Sequence, residues 1–308
     1  MSATTIWKDK TTNDLEQTIK SLVDEVKPDE KSSIVWGDWD IHKKFDKNKE
    51  IELGGKTIKY NYISYSYSQY YTKELKDQSK VSKSGFIIVY SNGETIYYIV
   101  DQNSYAQKLL RKLLSYNGKS EIEKSTYSFG TDFFIWLIYR VYNSNYNIEI
   151  SPDDKKLKLD AIKGFKGDTD DLQTKVTATG ESVMNIISTL SFLLESNNLN
   201  QVKVDLNYSK HSNITLTLQK DTVCIDPNSY CGIFETDETS EETISKLYLM
   251  VYLEILAQLR QEYYYDIDNE DWNTNVHSDF LQQVGKKLSE KIDEKTQAIK
   301  NKKQTITE

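Results

Sequence analysis

Long apolar runs are missing from this chain. The longest, Phe133 to Tyr139 (FFIWLIY), has seven residues, whereas a bilayer-spanning helix needs about 20, so no transmembrane segment is expected. The opening MSATTIWKDKTTNDLEQ lacks a basic start, an apolar stretch and a small-residue cleavage site, so no secretory signal is expected and the protein reads as cytoplasmic. Cysteine is nearly absent: Cys224 and Cys231 frame CIDPNSYC, whose turn residues could bring them together across a hairpin, yet a reducing compartment would leave free thiols. No further ligands stand at zinc-like spacing. Histidine is confined to positions 42, 211 and 277. GxSxG, GxxxxGK and GxGxxG are all lacking, which removes the commonest nucleophile-elbow, P-loop and dinucleotide readings. Few glycines and prolines beside abundant Lys, Asn, Ile and Tyr point to an AT-rich coding genome, such as that of a low-GC bacterium or its phages.

What is present is a folded chain. Apolar residues make up 38% and aromatics 12% of 308 residues, and Leu, Ile, Val and Phe recur periodically, against global disorder. Net charge is −8, but its distribution is uneven. Residues 56 to 127 carry eleven Lys and Arg against six acids, and residues 235 to 272 carry eleven acids against Lys246 and Arg260. This asymmetry suits a basic binding face or head-to-tail contact between two subunits.

The periodicities predict an α+β protein with an antiparallel, hairpin-rich sheet in the N-terminal half, then a smaller helix-flanked sheet and long helices. Leu15, Ile19, Leu22, Val23 and Val26 have helical spacing, so the chain is expected to open with a helix. Residues 34 to 39 and 58 to 71 read as extended, with a Gly54-Gly55 turn, and GFIIVYSNGETIYYIVD reads as a hairpin whose Asn92-Gly93 suits positive φ at both central positions. Ala106, Leu109, Leu110, Leu113 and Leu114 define a helix whose opposite side carries Lys108, Arg111 and Lys112. Residues 133 to 141 read as a buried helix, and residues 146 to 165 as strand. GFKGDTDD (164 to 171) reads as a linker, giving domains 1–165 and 172–308. In the second, a helix through Val183 to Leu194 precedes strands at 202 to 208, 214 to 218 and 222 to 226. A helix capped by Thr239 and Glu242 follows, then a final helix from about Ser278 to Lys300.

The segment YNYISYSYSQYY, residues 60 to 71, holds six tyrosines flanked by lysines. Its apolar phase switches at Tyr62 and Ile63, and a strand keeps one face per phase. A bulge, burial of both faces, or exposure of one tyrosine set would each explain the switch. Tyrosine joins a stacking face to a polar tip, so the candidate surface for nucleic acid or a protein partner comprises Tyr65, Tyr67, Tyr71, Lys73, Lys76, Lys80, Lys83, Lys108, Arg111 and Lys112. The competing reading is ordinary sheet packing with solvated lysines.

Catalytic alternatives are poorer. Asp40-Ile-His42, Gly167-Asp168-Thr-Asp-Asp171 and His211 with His277 echo a metallophosphoesterase, but no GNH occurs and the fragments lie far apart. DIDNED (266 to 271) lacks the glycine and closing glutamate of a calcium loop. Glu52 to Lys56 and Asp205 to Lys210 lack paired-carboxylate nuclease spacing. No metal or cofactor is expected, and a metal-dependent nuclease is the third functional reading, after nucleic-acid binding and a protein-interaction module.

Three stretches carry a pattern-level resemblance: GFIIVYSNGETIYYIVDQNSYAQKLLRKLL, KGFKGDTDDLQTKVTATGESVMNIISTLSFLLE with its following strands, and the helical C-terminus. In element order they resemble phage-exclusion proteins of the Rex A type and KwaB-like defence proteins, over about two thirds of the chain. The resemblance has no diagnostic motif and transfers no site residue. It implies a cytoplasmic, dimeric protein that binds DNA with little sequence preference and acts in phage defence with a partner.

Overall fold

The computed structural model describes residues 3–24, 26, 34–71, 80–102, 104–118, 120–125, 127–143, 147–149, 156–168, 175–179, 191, 194, 198–236 and 239–305. They form an α+β protein with two antiparallel sheets and long C-terminal helices. The chain divides into two compact units. The first comprises Met1–Tyr127, Asp221–Pro227 and Ile233–Leu256, and the second Ser128–Lys220, Asn228–Gly232 and Ala257–Glu308. This division departs from the expected domains 1–165 and 172–308. The stretch read as a linker is instead largely strand: Gly164 and Gly167 sit inside Lys156–Asp168, paired with Thr179 and Val176 on one side and with Lys203 and Leu199 on the other. Glycine and acid content mimicked a loop where both flanking strands satisfy the backbone.

The first unit begins with a strand, β1 (Thr5–Asp9), ahead of the expected helix, α1 (Leu15–Val23). Asp14 caps α1 by accepting from Gln17 N at 3.0 Å, and Leu15, Thr18, Ile19 and Leu22 face inward. Then follow β2 (Ile34–Lys43), β3 (Lys49–Leu53), β4 (Lys56–Tyr71), β5 (Lys80–Ser91), β6 (Ile96–Val100), α2 (Ala106–Leu113) and β7 (Ile122–Lys124). The seven strands order as β2-β4-β5-β6-β1-β7, with β3 also on β4. Gly54 and Gly55 both take positive φ in the β3–β4 turn, a conformation open to glycine without a Cβ penalty. In the β5–β6 hairpin only Gly93 has positive φ. Asn92 instead accepts from Glu94 N and Thr95 N through its side chain, an Asx turn in place of the expected two-residue geometry.

The β4–β5 register runs without a break from Lys59↔Ser91 to Tyr70↔Lys80, so no bulge in β4 against β5 explains the phase switch. Both faces of β4 are covered, by different elements at different points. Tyr62 stacks on Phe86 at 5.3 Å, and Phe86 meets Tyr248 of the helix Ser240–Met250 at 5.5 Å. On the other face Ile63, Tyr65 and Tyr67 join a core with Leu15, Ile19, Leu22, Trp36, Leu109, Leu110 and Leu113. The irregularity lies in β2, whose register against β4 shifts between Gly37 and Asp40, with Asp38 at φ 52°.

In the helix Ser240–Met250, Thr239 accepts from Glu242 N at 3.2 Å, the expected N-cap. Glu242 itself pairs with Lys49 and Lys246. A π-helical segment follows over Val251–Ile255. There Glu254 accepts from Gly54 N at 2.7 Å, fastening the β3–β4 turn.

The second unit contains α3 (Thr131–Tyr142), β8 (Asn147–Glu149), β9 (Lys156–Asp168), β10 (Lys175–Thr179), β11 (Asn198–Tyr208) and β12 (His211–Gln219). Strands β10, β9, β11 and β12 are successive neighbours, and β8 pairs with β9. The helix α3 packs on β9 and β11. Its buried Arg140 bonds Asp266 at 2.8 Å and Glu262 at 3.2 Å, and Trp136 Nε1 donates to the same Asp266 oxygen. Both acids lie on the helix Leu256–Asp268, and the last helix is Thr274–Thr305. The expected helix over Val183 to Leu194 falls mostly outside the described residues. No helix among the described residues is long and apolar enough to cross a membrane.

Candidate nucleic-acid interface

The expected stacking face does not form. Tyr65 and Tyr67 are each only 2% exposed, because α1 and α2 cover the face of β4 to which they point, so neither ring can receive a base. Tyr65 is held by its hydroxyl, which donates to Asp101 at 2.8 Å. The same Asp101 oxygen accepts from Phe86 N at 3.0 Å, so one carboxylate ties β4 to β5. Burial and that carboxylate raise the Tyr65 pKa well above the usual phenol range, keeping the donor protonated.

Tyr67 instead supports two tryptophans absent from the expected site. Its ring centroid lies 4.7 Å from Trp36 at an interplanar angle of 10°, and 4.7 Å from Trp39 at 27°. The two indole centroids are 6.0 Å apart. Were they on opposite faces of Tyr67, stacking at ~3.5 Å per layer would separate them by about 7 Å or more. They therefore lie side by side on the same face of the phenol. The β2 irregularity makes this possible: Trp36 pairs with Gln69 in register, and the one extra residue after Gly37 brings Trp39 back to the same side.

Two lysines crown one of these indoles. Lys108 Nζ lies 5.1 Å and Lys112 Nζ 5.6 Å from the Trp36 ring centroid. The helix α2 delivers both because positions four apart share a face, while Ala106, Leu109, Leu110 and Leu113 bury the opposite face. Tyr105, at the N-cap of α2, is 50% exposed and meets Trp36 edge-on at 6.4 Å. Trp36 Nε1 is buried without an acceptor among the described residues, an unusual state for an indole donor.

The remaining predicted residues divide. Lys83 is exposed and stands opposite Tyr67 in register, hence on the same side of the sheet as Trp36 and the α2 lysines. Lys80 lies on the other side, opposite Tyr70, with its ammonium 2.8 Å from Asp38. Hydrogen bonds from Lys80, Tyr70 and Ser68 lower the Asp38 pKa to about 2, so that lysine is neutralised locally. Arg111 is half-buried and donates to the Asn117 carbonyl at 2.9 Å, bracing the end of α2. Tyr71 ends β4, while its side chain and both Lys73 and Lys76 lie outside the described residues.

A groove of about 430 Å³ opens against the second indole. Among the described residues it is lined by Val23, Asp24, Val26, Trp39, Asp40 and Ile41, from the end of α1 and from β2. Trp39 is half-buried, stacked on Tyr67 below and bordering the groove. The Asp40 carboxylate is engaged by His42 Nε2 at 2.7 Å.

The catalytic fragments do not acquire a common centre. His211 is buried and bonded to the Tyr230 hydroxyl at 2.6 Å. His277 stacks on Trp272, with Nδ1 3.7 Å from Asp132. Asp171 and the Asp168 side chain lie outside the described residues, and among the described ones no group of three potential metal ligands occurs. Cys224 and Cys231 are free thiols, and burial pushes the Cys224 thiol up, away from nucleophilic activation.

The two tryptophans and Tyr105 were missed because a β-period places Trp36 and Trp39 on opposite faces. The one local hint was Gly37 followed by acids in WGDWD.

Comparison with known proteins adds no identity: no family model matches the chain, and no curated protein matches it significantly. Fold and site together define an α+β protein bearing an aromatic floor, part crowned by lysines and part open to a groove.

Proposed function

We propose that this protein is a non-enzymatic binder of nucleic acid with little sequence preference, working in a bacterial or phage conflict system. The observation that carries the reading is the convergence of Lys108, Lys112 and Lys83 on the side of the sheet where Trp36, Trp39 and Tyr105 gather. Clustered ammonium groups neutralise phosphates irrespective of base identity, and aromatic faces accept any base. A net charge of −8 confines attraction to this local patch and repels the polyanion elsewhere. The conflict-system setting rests on the resemblance in element order, and a membrane or effector gene beside this one would support it.

The test is a gel-shift titration with single- and double-stranded DNA and RNA at low salt, repeated as salt rises. Binding that weakens with salt, and weakens further in the Lys108→Gln/Lys112→Gln variant, is expected. Unchanged mobility with every nucleic acid at low salt refutes the reading.

One observation favours a protein partner as the second reading. On the final helix Ile292 and Ile299 are 49% and 55% exposed, and with Leu281, Val284 and Leu288 they continue a single apolar stripe. Stoichiometric co-purification of a protein without nucleic-acid absorbance would select that reading.

A further inference from the structure

The two indoles over Tyr67 differ in what covers them. Trp36 is 2% exposed beneath two lysines. Trp39, its neighbour at 6.0 Å, carries no cation over its ring among the described residues and lines the groove. A planar ligand entering that groove would lie beside the ammonium pair on a ring already stiffened by stacking on Tyr67. We propose that the groove is a base-stacking subsite for single-stranded nucleic acid, in which one unpaired base rests on Trp39 while its flanking phosphates meet Lys108, Lys112 and Lys83. This rests on the nucleic-acid reading above and narrows it to an unpaired strand.

Three features select this occupant. The groove volume, about 430 Å³, falls within the range of ~300–1,000 Å³ for small-ligand sites, room for a single nucleoside, and only an unpaired base can lay its face on an indole. Val23, Val26 and Ile41 add apolar contacts beside Trp39 in a groove whose lining is otherwise mostly polar. Lysines lie over the neighbouring Trp36, so the phosphates of a strand whose base rests on Trp39 are drawn toward α2.

The experiment compares three labelled probes of equal length by fluorescence anisotropy at low salt: a single-stranded oligo-dA, its duplex with oligo-dT, and a single strand of abasic residues with the same phosphate count. Wild type, Trp39→Tyr and Trp39→Leu are each titrated, with urea midpoints confirming that the variants fold. Wild type is expected to bind oligo-dA more tightly than the abasic strand. Trp39→Leu should lose about fivefold or more on oligo-dA, the lower end of what one stacked base contributes, while Trp39→Tyr retains binding and the abasic strand responds to neither change. Equal losses on oligo-dA and abasic probes, or no loss on either, overturn the stacking subsite and leave phosphate binding standing. Failure of wild type to bind all three probes overturns both readings. A lysine-rich peptide that binds wild type, is weakened by Trp39→Leu, and meets no competition from oligo-dA would assign the groove to a protein partner and also overturn the proposal.

Discussion

Replacing Gly85 by alanine tests the interior placement of the tyrosine strand. A Cβ at this position would lie 2.2 and 2.4 Å from the two Asp101 carboxylate oxygens and 2.6 Å from the carbon between them, so the carboxylate has to leave. Its departure breaks the bonds from Tyr65 Oη at 2.8 Å and Phe86 N at 3.0 Å. Hydrogen bonds to a charged partner contribute ~1.5–3 kcal/mol each. Asp101 is half-buried, so water replaces part of the loss, and the expected destabilisation is about 2–4 kcal/mol. Urea unfolding followed by circular dichroism and tryptophan fluorescence reads it, using two probes because two units need not unfold together. The Asp101→Ala background supplies the internal control. There the carboxylate is already absent, so adding Gly85→Ala should cost far less than in wild type, giving a coupling of at least about 1.5 kcal/mol. A cost below about 0.5 kcal/mol in wild type, or strict additivity with Asp101→Ala, refutes the clamp and with it the inward placement of Tyr65.

Further outcomes follow from the same geometry. Arg140→Met leaves Asp266 and Glu262 without their cation in a buried site, and should destabilise the second unit by about 3–5 kcal/mol in urea unfolding; a loss under 1 kcal/mol contradicts the network. The Asp38 carboxylate, held down by Lys80, Tyr70 and Ser68, should titrate near pH 2 by carbon-detected NMR, and should rise only part of the way toward the usual carboxylate value in Lys80→Gln, where the bonds from Tyr70 and Ser68 remain. Since its folded pKa is depressed, its contribution is present above the unfolded pKa of ~3.9 and is lost as pH falls toward 2. Burial raises the Tyr116 pKa to about 12, with its bonds to Thr11 and Asp9 acting in opposite directions. A raised folded pKa means a contribution intact below pH ~10 that fades as pH rises through 12, so Tyr116→Phe should flatten the alkaline loss of stability over that interval. An unchanged alkaline limb in Tyr116→Phe would show that the phenol does not govern it.

Local periodicity made most of the elements legible. The spacing of Leu15, Ile19 and Leu22 specified α1, that of Ala106, Leu109, Leu110 and Leu113 specified α2, and Thr239 with Glu242 marked the start of a later helix, because each pattern is written within one turn or two. The fate of the tyrosines was not local. The phase switch at Tyr62 and Ile63 arises because the helix Ser240–Met250 covers one face of β4 while α1 and α2 cover the other, and a strand's own sequence does not state which distant helix reaches it. The linker reading failed for a related reason: Gly164 and Gly167 are loop-forming in isolation, but β10 and β11 pair with them on both sides. At the site, the basic face of α2 was readable and the aromatic floor was not. Trp36 and Trp39 share a face only through the irregularity after Gly37, which turns an odd spacing into a common side.

The nucleic-acid interface is tested most directly by the salt dependence of binding to a single-stranded oligonucleotide, measured for wild type and for Lys108→Gln/Lys112→Gln. Each phosphate neutralised contributes a slope of ~0.7 in log K against log salt for single strands, so removing both ammonium groups should reduce the magnitude of the slope by about 1.4 and weaken binding at low salt. An identical slope and affinity in the double variant would show that the lysines over Trp36 do not meet phosphates, and would contradict the assignment of this surface.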